Sequence, residues 1–340
     1  MNKTADISPK EARRIHKMFS RVQQQYEKMA AKAFYSAIKD QVRQFVEAAR
    51  DYPTGLEMQA VNEIDPLNLA KTIKRVALKV GTGYAKITEA EMTAEESGQK
   101  FKPSGIETKA NGTDYRQLIE AYLRLYGAKK VTGITETTRK WIVEQIVKGN
   151  QAGMTFDQVA RNLINDQINA SRALRIARTE SVAMMNLGRY LAANNSNFEK
   201  EKIWVDAHDD RVRPAGTDSV YDHHAAGIRV ARKLNMLFKV SGEYLMFPGD
   251  TAHGASAGNV VNCRCTFALR TKRDDQGRMI TKPRPMIITE TGVENFPEEA
   301  TPVDISAPVT IIDFITALMN GATLGGLLGL SFLDLFNNKP

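Results

Sequence analysis

The sequence predicts an α+β protein. A long helical N-terminal region is followed by a small mixed α/β module, an extended linker and an apolar C-terminal helix. Three observations support this fold class. Apolar residues recur at three- and four-residue steps through much of residues 9–193, which is helical spacing. After residue 198, short segments rich in β-branched and aromatic residues alternate with turn residues, as in strands. From residue 283 onward, prolines and then uncharged apolar residues dominate.

The first helix has a clear start and a clear end. Ser8-Pro9-Lys10-Glu11 is a capping box with proline at the first helical position, and Tyr52-Pro53-Thr54-Gly55 stops the helix near residue 51. A helix of about 40 residues is about 60 Å long, which is more than a compact domain usually needs. We therefore expect it to pack on another long helix or on a neighbouring subunit.

Further helices follow, each with its own boundary signals. They are expected from Asp65-Pro66 to near Gly81 or Gly83, from Asp114 to Tyr126, after a cap at Thr135, after a capping box at Thr155–Gln158, and from Ser171 to about Ala193. Strands are expected at Lys202–Val205, Glu243–Phe247 and Val260–Leu269, with a hairpin-type turn at Asp274–Gly277.

These elements divide the chain into five regions. They are a helical arm at residues 1–110, a helical region at 111–198, the α+β module at 199–282, an extended linker at 283–307 and an apolar tail at 308–340. Residues 314–333 carry no charge and contain two GxxxG pairs. The tail therefore packs against protein, inserts into or leans on a membrane, or is a disordered end.

Charge is distributed unevenly along the chain. The net charge is +8, but residues 283–340 carry two basic and seven acidic residues, which leaves +13 for residues 1–282. A basic body suggests a polyanionic partner, nucleic acid before anionic lipid. The alternative is a solvated basic surface that docks on an acidic protein. The candidate contact residues are Arg13, Arg14, Lys17 and Arg21 of the first helix and Arg172, Arg175 and Arg178 of the last helix. For the last three, an ion-paired helix surface is favoured over a phosphate clamp.

The two cysteines, Cys263 and Cys265, are too close in sequence for a disulfide framework, which fits a reducing compartment. The N-terminus lacks the apolar region of a signal peptide. A structural zinc site would use Cys263 and Cys265, His223, and either His224 or His253. The alternative is a pair of small buried thiols on a core strand with scattered surface histidines. No other cofactor is expected.

Acidic and imidazole groups are also concentrated after the first strand. Asp206, His208 and Asp210 would have to converge on a pocket to support a hydrolase or transferase. A His-Asp-Asp loop is more often a turn. The sequence has no Ser-His-Asp pattern, Walker A loop or GxGxxG. We therefore predict no catalytic residues and no enzyme.

Several motifs together resemble one family. They are Ile176-Ala177-Arg178-Thr179-Glu180, Trp204 followed by Asp210-Arg211-Val212-Arg213, a later histidine, Phe247-Pro248-Gly249-Asp250 and Val261-Asn262-Cys263-Arg264-Cys265-Thr266. In this order, over about residues 140–270, they resemble the phage Mu protein F-like, or SPP1-type, minor head (head morphogenesis) proteins.

The resemblance implies a low-copy virion protein made in the host cytoplasm and located inside the head near the portal. Its partners would be the portal protein, the major capsid protein and packaged double-stranded DNA. Two alternatives stay open. The chain is an ejected, DNA-escorting or membrane-active virion protein that uses residues 314–333, or the module is an enzyme of toxin type.

Overall fold

The computed structural model describes residues 7–101, 115–165, 167–209, 212–213, 221–223 and 230–282. Five helices of 10 to 41 residues form the larger part of it. They are α1 (Pro9–Ala49), α2 (Leu67–Glu96), α3 (Tyr115–Gln151), α4 (Phe156–Asn165) and α5 (Gln167–Asn195), with a 3-10 helix at Glu57–Glu63 between the first two. The predicted fold class, helices followed by a small module with strands, is confirmed.

Helix α1 begins as its sequence predicts. Ser8 is the N-cap, its Oγ accepts a hydrogen bond from the backbone N–H of Glu11 (3.2 Å), and Pro9 occupies the first helical position. One face of its 41 residues is buried, including Phe19, Tyr26 and Phe34. This face packs chiefly on α5 and also on α2, so the long helix finds its partners within the chain.

Helices α2 and α3 are longer than predicted. Helix α2 continues through Gly81 and Gly83 to Glu96, because these glycines provide room for close packing and do not end the helix. A Cβ at Gly81 would lie 2.6 Å from Cδ1 of Ile119. Similarly, Thr135 does not cap a new helix. It lies buried inside α3, where its Oγ1 accepts a hydrogen bond from Gln41 (3.1 Å).

The described strands are short and antiparallel. Strands β1 (Lys200–Val205), β2 (Arg232–Lys233) and β5 (Thr266–Thr271) form a sheet in the order β2-β1-β5, and β3 (Phe238–Val240) pairs with β4 (Glu243–Leu245). In the longest pairing, Ile203 lies opposite Ala268. A one-turn helix, α6 (Ala257–Val260), precedes β5. The predicted turn is present, since the N–H of Gly277 donates to the carbonyl of Asp274 (2.9 Å).

The helices and the strands share one hydrophobic core. The largest cluster of buried side chains runs from Phe19 and Tyr84 of the helices to Trp204, Phe247 and Phe267 of the module. Smaller clusters lie between α1, α3 and α4 and between the start of α1 and the sheet. The module is therefore packed onto α5. The five-region division of the chain stays a prediction.

The predicted linker and apolar tail lie outside the described residues, and so does the question of membrane insertion by residues 314–333. Across the ranges that the structure describes, none of the helices combines the length and the hydrophobicity that a bilayer crossing requires.

Candidate functional site

Three of the predicted zinc ligands meet inside the module. Nδ1 of His223 lies 3.7 Å from Sγ of Cys263 and 3.5 Å from Sγ of Cys265. All three side chains are buried, with at most 3% of each residue exposed. Both cysteines are unpaired thiols. They lie in the turn between α6 and β5 and not on a strand as predicted. Asn262, with φ of 60°, lets the chain bend so that both sulfur atoms face the imidazole.

Asn259 determines which nitrogen of His223 faces the sulfur atoms. Its amide nitrogen donates to Oε2 of Glu243 (3.0 Å) and to the carbonyl of Val240 (3.3 Å), so its Oδ1 must be the group that faces Nε2 of His223 (2.7 Å). Oδ1 only accepts, so Nε2 carries a proton and donates it. In the neutral imidazole, Nδ1 then has its lone pair directed at the two thiols. The sequence interpretation had not singled out Asn259.

The three groups perturb one another's protonation. The hydrogen bond from Cys265 lowers the pKa of the Cys263 thiol well below its usual range, and His223 adds to this effect against the opposing influence of burial. The pKa of Cys265 is raised well above its usual range by its hydrogen bond to Cys263 and by burial. Burial lowers the pKa of His223, but its hydrogen bonds to Cys263 and Asn259 outweigh burial, so the net direction is upward.

His253 is not part of this cluster. Its Nδ1 lies 2.6 Å from Oδ2 of Asp250, a fully buried carboxylate. Asp250 also accepts hydrogen bonds from the backbone N–H groups of Met246 and Ala252, both at 2.8 Å. The predicted ligand His253 therefore supports a turn, because its position three residues after Asp250 brings the ring to that carboxylate. The other predicted alternative, His224, lies outside the described residues.

A buried lysine lies beside this turn. Nζ of Lys202 donates to the carbonyl of Met246 (2.6 Å) and lies 4.8 Å from the ring centre of Phe238. Burial lowers the pKa of Lys202 to about 7, while the negative charge of Asp250 opposes this shift. The sequence placed Lys202 on a strand but gave no indication that its amine would be buried, since lysine is usually exposed.

Two of the three residues needed for the hydrolase hypothesis are close together. Nδ1 of His208 lies 2.5 Å from Oδ1 of Asp206, and His208 has a φ of 52°. His208 borders a depression of about 360 Å³ that is also lined by Arg13, Lys17 and Arg21 of α1. An Asp-oriented imidazole can act as a general base. Asp210, the third residue, lies outside the described residues.

The seven predicted contact arginines and lysines fall into two groups. Arg13, Arg14, Lys17, Arg21 and Arg175 are exposed. The other two are engaged within the protein. Arg172 donates to the carbonyl of Thr137 (3.1 Å) and Oγ1 of Thr138 (3.1 Å), and Arg178 forms an ion pair with Glu27 (2.8 Å). Arg178 is therefore ion-paired within the protein, whereas these hydrogen bonds of Arg172 go to neutral groups.

Polar side chains also connect α5 to the turn between α6 and β5 that carries Cys263 and Cys265, which we call the cysteine turn. NH1 of Arg178 donates to Oδ1 of Asn262 (2.8 Å). The buried amide of Asn186 donates to the carbonyls of Pro248 (2.9 Å) and Cys265 (3.1 Å), and it accepts a hydrogen bond from Oγ1 of Thr266 (2.8 Å). The cysteine turn is thus held from both ends by one helix.

Comparison with models of known protein families gives a match. The family model described as Phage Mu protein F like protein matches residues 140–268. No curated protein and no solved structure gives a significant match. The matched segment runs from the C-terminal part of α3 into β5 and includes the His223–Cys263–Cys265 cluster. It confirms the family resemblance that the motifs predict. This similarity suggests a role in phage head morphogenesis.

Proposed function

From the phage Mu protein F-like domain that the chain carries at residues 140–268, we propose that this protein is a minor head protein that acts as a structural component in phage head assembly. The family match is the observation that carries this proposal. The burial of His223, Cys263 and Cys265 supports it, because a buried cluster is suited to holding a fold together and offers no surface to a substrate.

The attachment of the module to the helices also supports a structural role. Asn186 and Arg178 of α5 bind both sides of the cysteine turn, and Arg178 extends the connection to Glu27 of α1. Buried polar networks with satisfied partners fix one arrangement of the groups that they connect. The module would therefore be presented to other head proteins in a fixed orientation on a helix bundle.

The first experiment locates the protein in the particle. Purified full heads, and heads assembled without portal protein, are analysed by quantitative mass spectrometry. A minor head protein near the portal should be present at low copy number in the first and depleted in the second. Its absence from full heads would contradict the proposal as a whole. Equal amounts in both preparations would contradict only the location near the portal.

We assign contact with the portal protein to a groove between α3, α5 and the loop before β5. This groove has a volume of about 500 Å³, an apolar lining that includes Ile134, Ile176 and Val260, and basic residues such as Lys129 and Arg175 at its rim. An apolar floor with a basic rim is complementary to an acidic segment that carries apolar side chains. The alternative partner of this groove is the major capsid protein.

The groove can be tested with exposed residues, so that folding is preserved. Val261 is 37% exposed at the groove, and Arg175 is exposed beside it. Val261→Glu with Arg175→Glu should weaken the capture of purified portal protein at least tenfold. The first change places a negative charge at the apolar lining, and the second reverses the sign of a charge at the rim. Met236→Glu, at a residue that is 51% exposed elsewhere, is the control and should bind as the unmodified protein does. Unchanged capture by the double variant would exclude this groove.

Contact with packaged DNA is assigned to α1. Arg13, Lys17, Arg21, Lys28 and Lys32 are exposed and fall within an arc of about 100° on the helix. The acidic residues of α1 lie off this arc, and Glu27 is paired with Arg178. A continuous basic stripe of this kind suits the phosphate backbone, whose recognition does not depend on base sequence.

The test measures duplex DNA binding over a range of salt concentrations. Changing Arg13, Arg14, Lys17 and Arg21 to Gln should reduce the slope of log affinity against log salt by about 3 to 4, since each phosphate contact contributes about 0.9. The control carries the same loss of charge at the exposed residues Lys140, Lys148, Arg161 and Lys239. Equal slopes for the two variants would contradict a DNA site on α1.

A further inference from the structure

The geometry points to a zinc site formed by His223, Cys263 and Cys265, a function that goes beyond the proposed role in assembly. Their ligand atoms, Nδ1 and the two Sγ atoms, all lie within 4.8 Å of one another. A tetrahedral zinc ion with bonds of about 2.3 Å to sulfur and about 2.0 Å to nitrogen requires sulfur–nitrogen separations of about 3.5 Å. The structure has 3.7 Å and 3.5 Å.

The orientation of the imidazole is that of a metal ligand. Asn259 accepts the Nε2 proton of His223 (2.7 Å), and Glu243 and Val240 fix the Asn259 amide from its other side. Zinc-bound histidines usually donate their second ring N–H to an oxygen acceptor of this kind, which fixes the tautomer and the direction of the lone pair. Here the lone pair of Nδ1 is directed at the space between the sulfur atoms.

The turn that carries the cysteines also suits thiolate ligands. The backbone N–H of Cys265 points to Sγ of Cys263 at 3.4 Å, a contact that stabilises negative charge on sulfur. Two buried thiolates without a cation would be costly, whereas two thiolates, a neutral imidazole and Zn²⁺ carry no net charge. Soft sulfur donors together with one imidazole favour zinc over magnesium or calcium.

Three protein donors leave the fourth position of a tetrahedral zinc ion to a water molecule or another donor. The cluster joins two segments that are distant in sequence, the region of His223 and the turn after α6. A bound ion would therefore close the module by linking His223 to the start of β5. Metal binding of this type contributes directly to the free energy of folding.

The experiment uses the full-length protein, purified under reducing conditions without chelator, and measures its zinc content by mass spectrometry. We expect about one zinc ion per chain. Cys263→Ser, Cys265→Ser and His223→Gln should each lose most of it. His208→Gln and His253→Gln are the matched controls and should retain it. Zinc that persists in the Cys263→Ser Cys265→Ser double variant would overturn the proposal.

A second measurement avoids variants that fail to fold. The unmodified protein is depleted of metal with a chelator, its fold is checked by circular dichroism, and Co²⁺ is added. Thiolate-to-cobalt charge-transfer absorption in the near ultraviolet, abolished by added Zn²⁺, is the expected result. A folded protein that gives no such absorption would show that the cluster is a metal-free set of hydrogen-bonded thiols. Neither result depends on whether the protein is found in phage heads.

Discussion

The helical body and the strand module are stabilised in different ways. In α1 and α2 most buried positions are apolar, as at Phe34 and Val80. In the module, strands of two to six residues surround buried polar groups, among them Lys202, Asp250 and Asn259. Long amphipathic helices can be stabilised by apolar burial alone. A small module of short strands depends on specific hydrogen bonds and cross-links, so single polar substitutions should damage it most.

The largest effect is expected at Asp250. Replacing it with Ala leaves the N–H groups of Met246 and Ala252 without their acceptor and removes the negative charge beside Lys202. We expect the free energy of unfolding to fall by about 3–5 kcal/mol, because the two N–H groups and the His253 ring lose a buried acceptor and each buried unsatisfied group costs about 1–3 kcal/mol. Urea unfolding measures this. Asp275→Ala, at an exposed residue, is the control and should change stability by less than about 0.5 kcal/mol. If both variants lost the same unfolding free energy, the buried polar groups would not stabilise the module as we infer.

The body should be most sensitive to steric overlap. Gly188 of α5 faces the backbone of α2, where an added Cβ would overlap the carbonyl oxygen of Gly81 and lie 3.0 Å from the nitrogen of Ala85. Because backbone atoms cannot rotate away, Gly188→Ala should lower the melting temperature and cost roughly 2 kcal/mol. Gly133 of α3 has no neighbouring atom within 4 Å of an added Cβ. Gly133→Ala should therefore stabilise the protein by about 0.5–1 kcal/mol. Stabilisation of both variants would contradict the close approach of α5 to the backbone of α2.

The smallest effect is a dependence on pH caused by Lys202. Its pKa is about 7 in the folded protein and about 10.4 when unfolded, so between these values the unfolded chain binds more protons. Stability should then rise with pH, by roughly 2 kcal/mol from pH 7 to pH 9. Lys202→Met should remove this rise, whatever its effect at a single pH. Urea unfolding of both proteins at pH 7, 8 and 9 gives the difference. Parallel profiles would show that Lys202 is not buried as a neutral amine.

The sequence predicted the starts of helices well where the capping residues lie within a few positions of one another. Ser8 caps α1, and the reciprocal bonds of Thr155 and Gln158 (2.8 Å and 3.4 Å) precede α4. The predicted ends at Gly81 and Gly83 were wrong because a glycine that ends a helix and one that admits a neighbour are identical in sequence. At Gly83 the neighbour is Tyr26, whose hydroxyl would meet an added Cβ.

The candidate site was predicted only in part. Sulfur and imidazole groups are recognisable by residue type, so His223, Cys263 and Cys265 could be named in advance. The choice between His224 and His253 as a further ligand was open, because it depends on which ring reaches the cysteines in space. His253 is retained by Asp250, three residues away. The role of Asn259 depends on contacts with Glu243 and His223, which no spacing rule reveals.

The sequence by itself determined the start of α1, the change from helices to short strands, and the motifs that resemble phage Mu protein F-like proteins, because each depends on neighbouring residues or on residue type. The tertiary structure alone decided that α2 and α3 continue through their glycines and threonines and that three ligand atoms meet around one point. These outcomes depend on distances between residues far apart in the chain, and such distances are set only when the core packs.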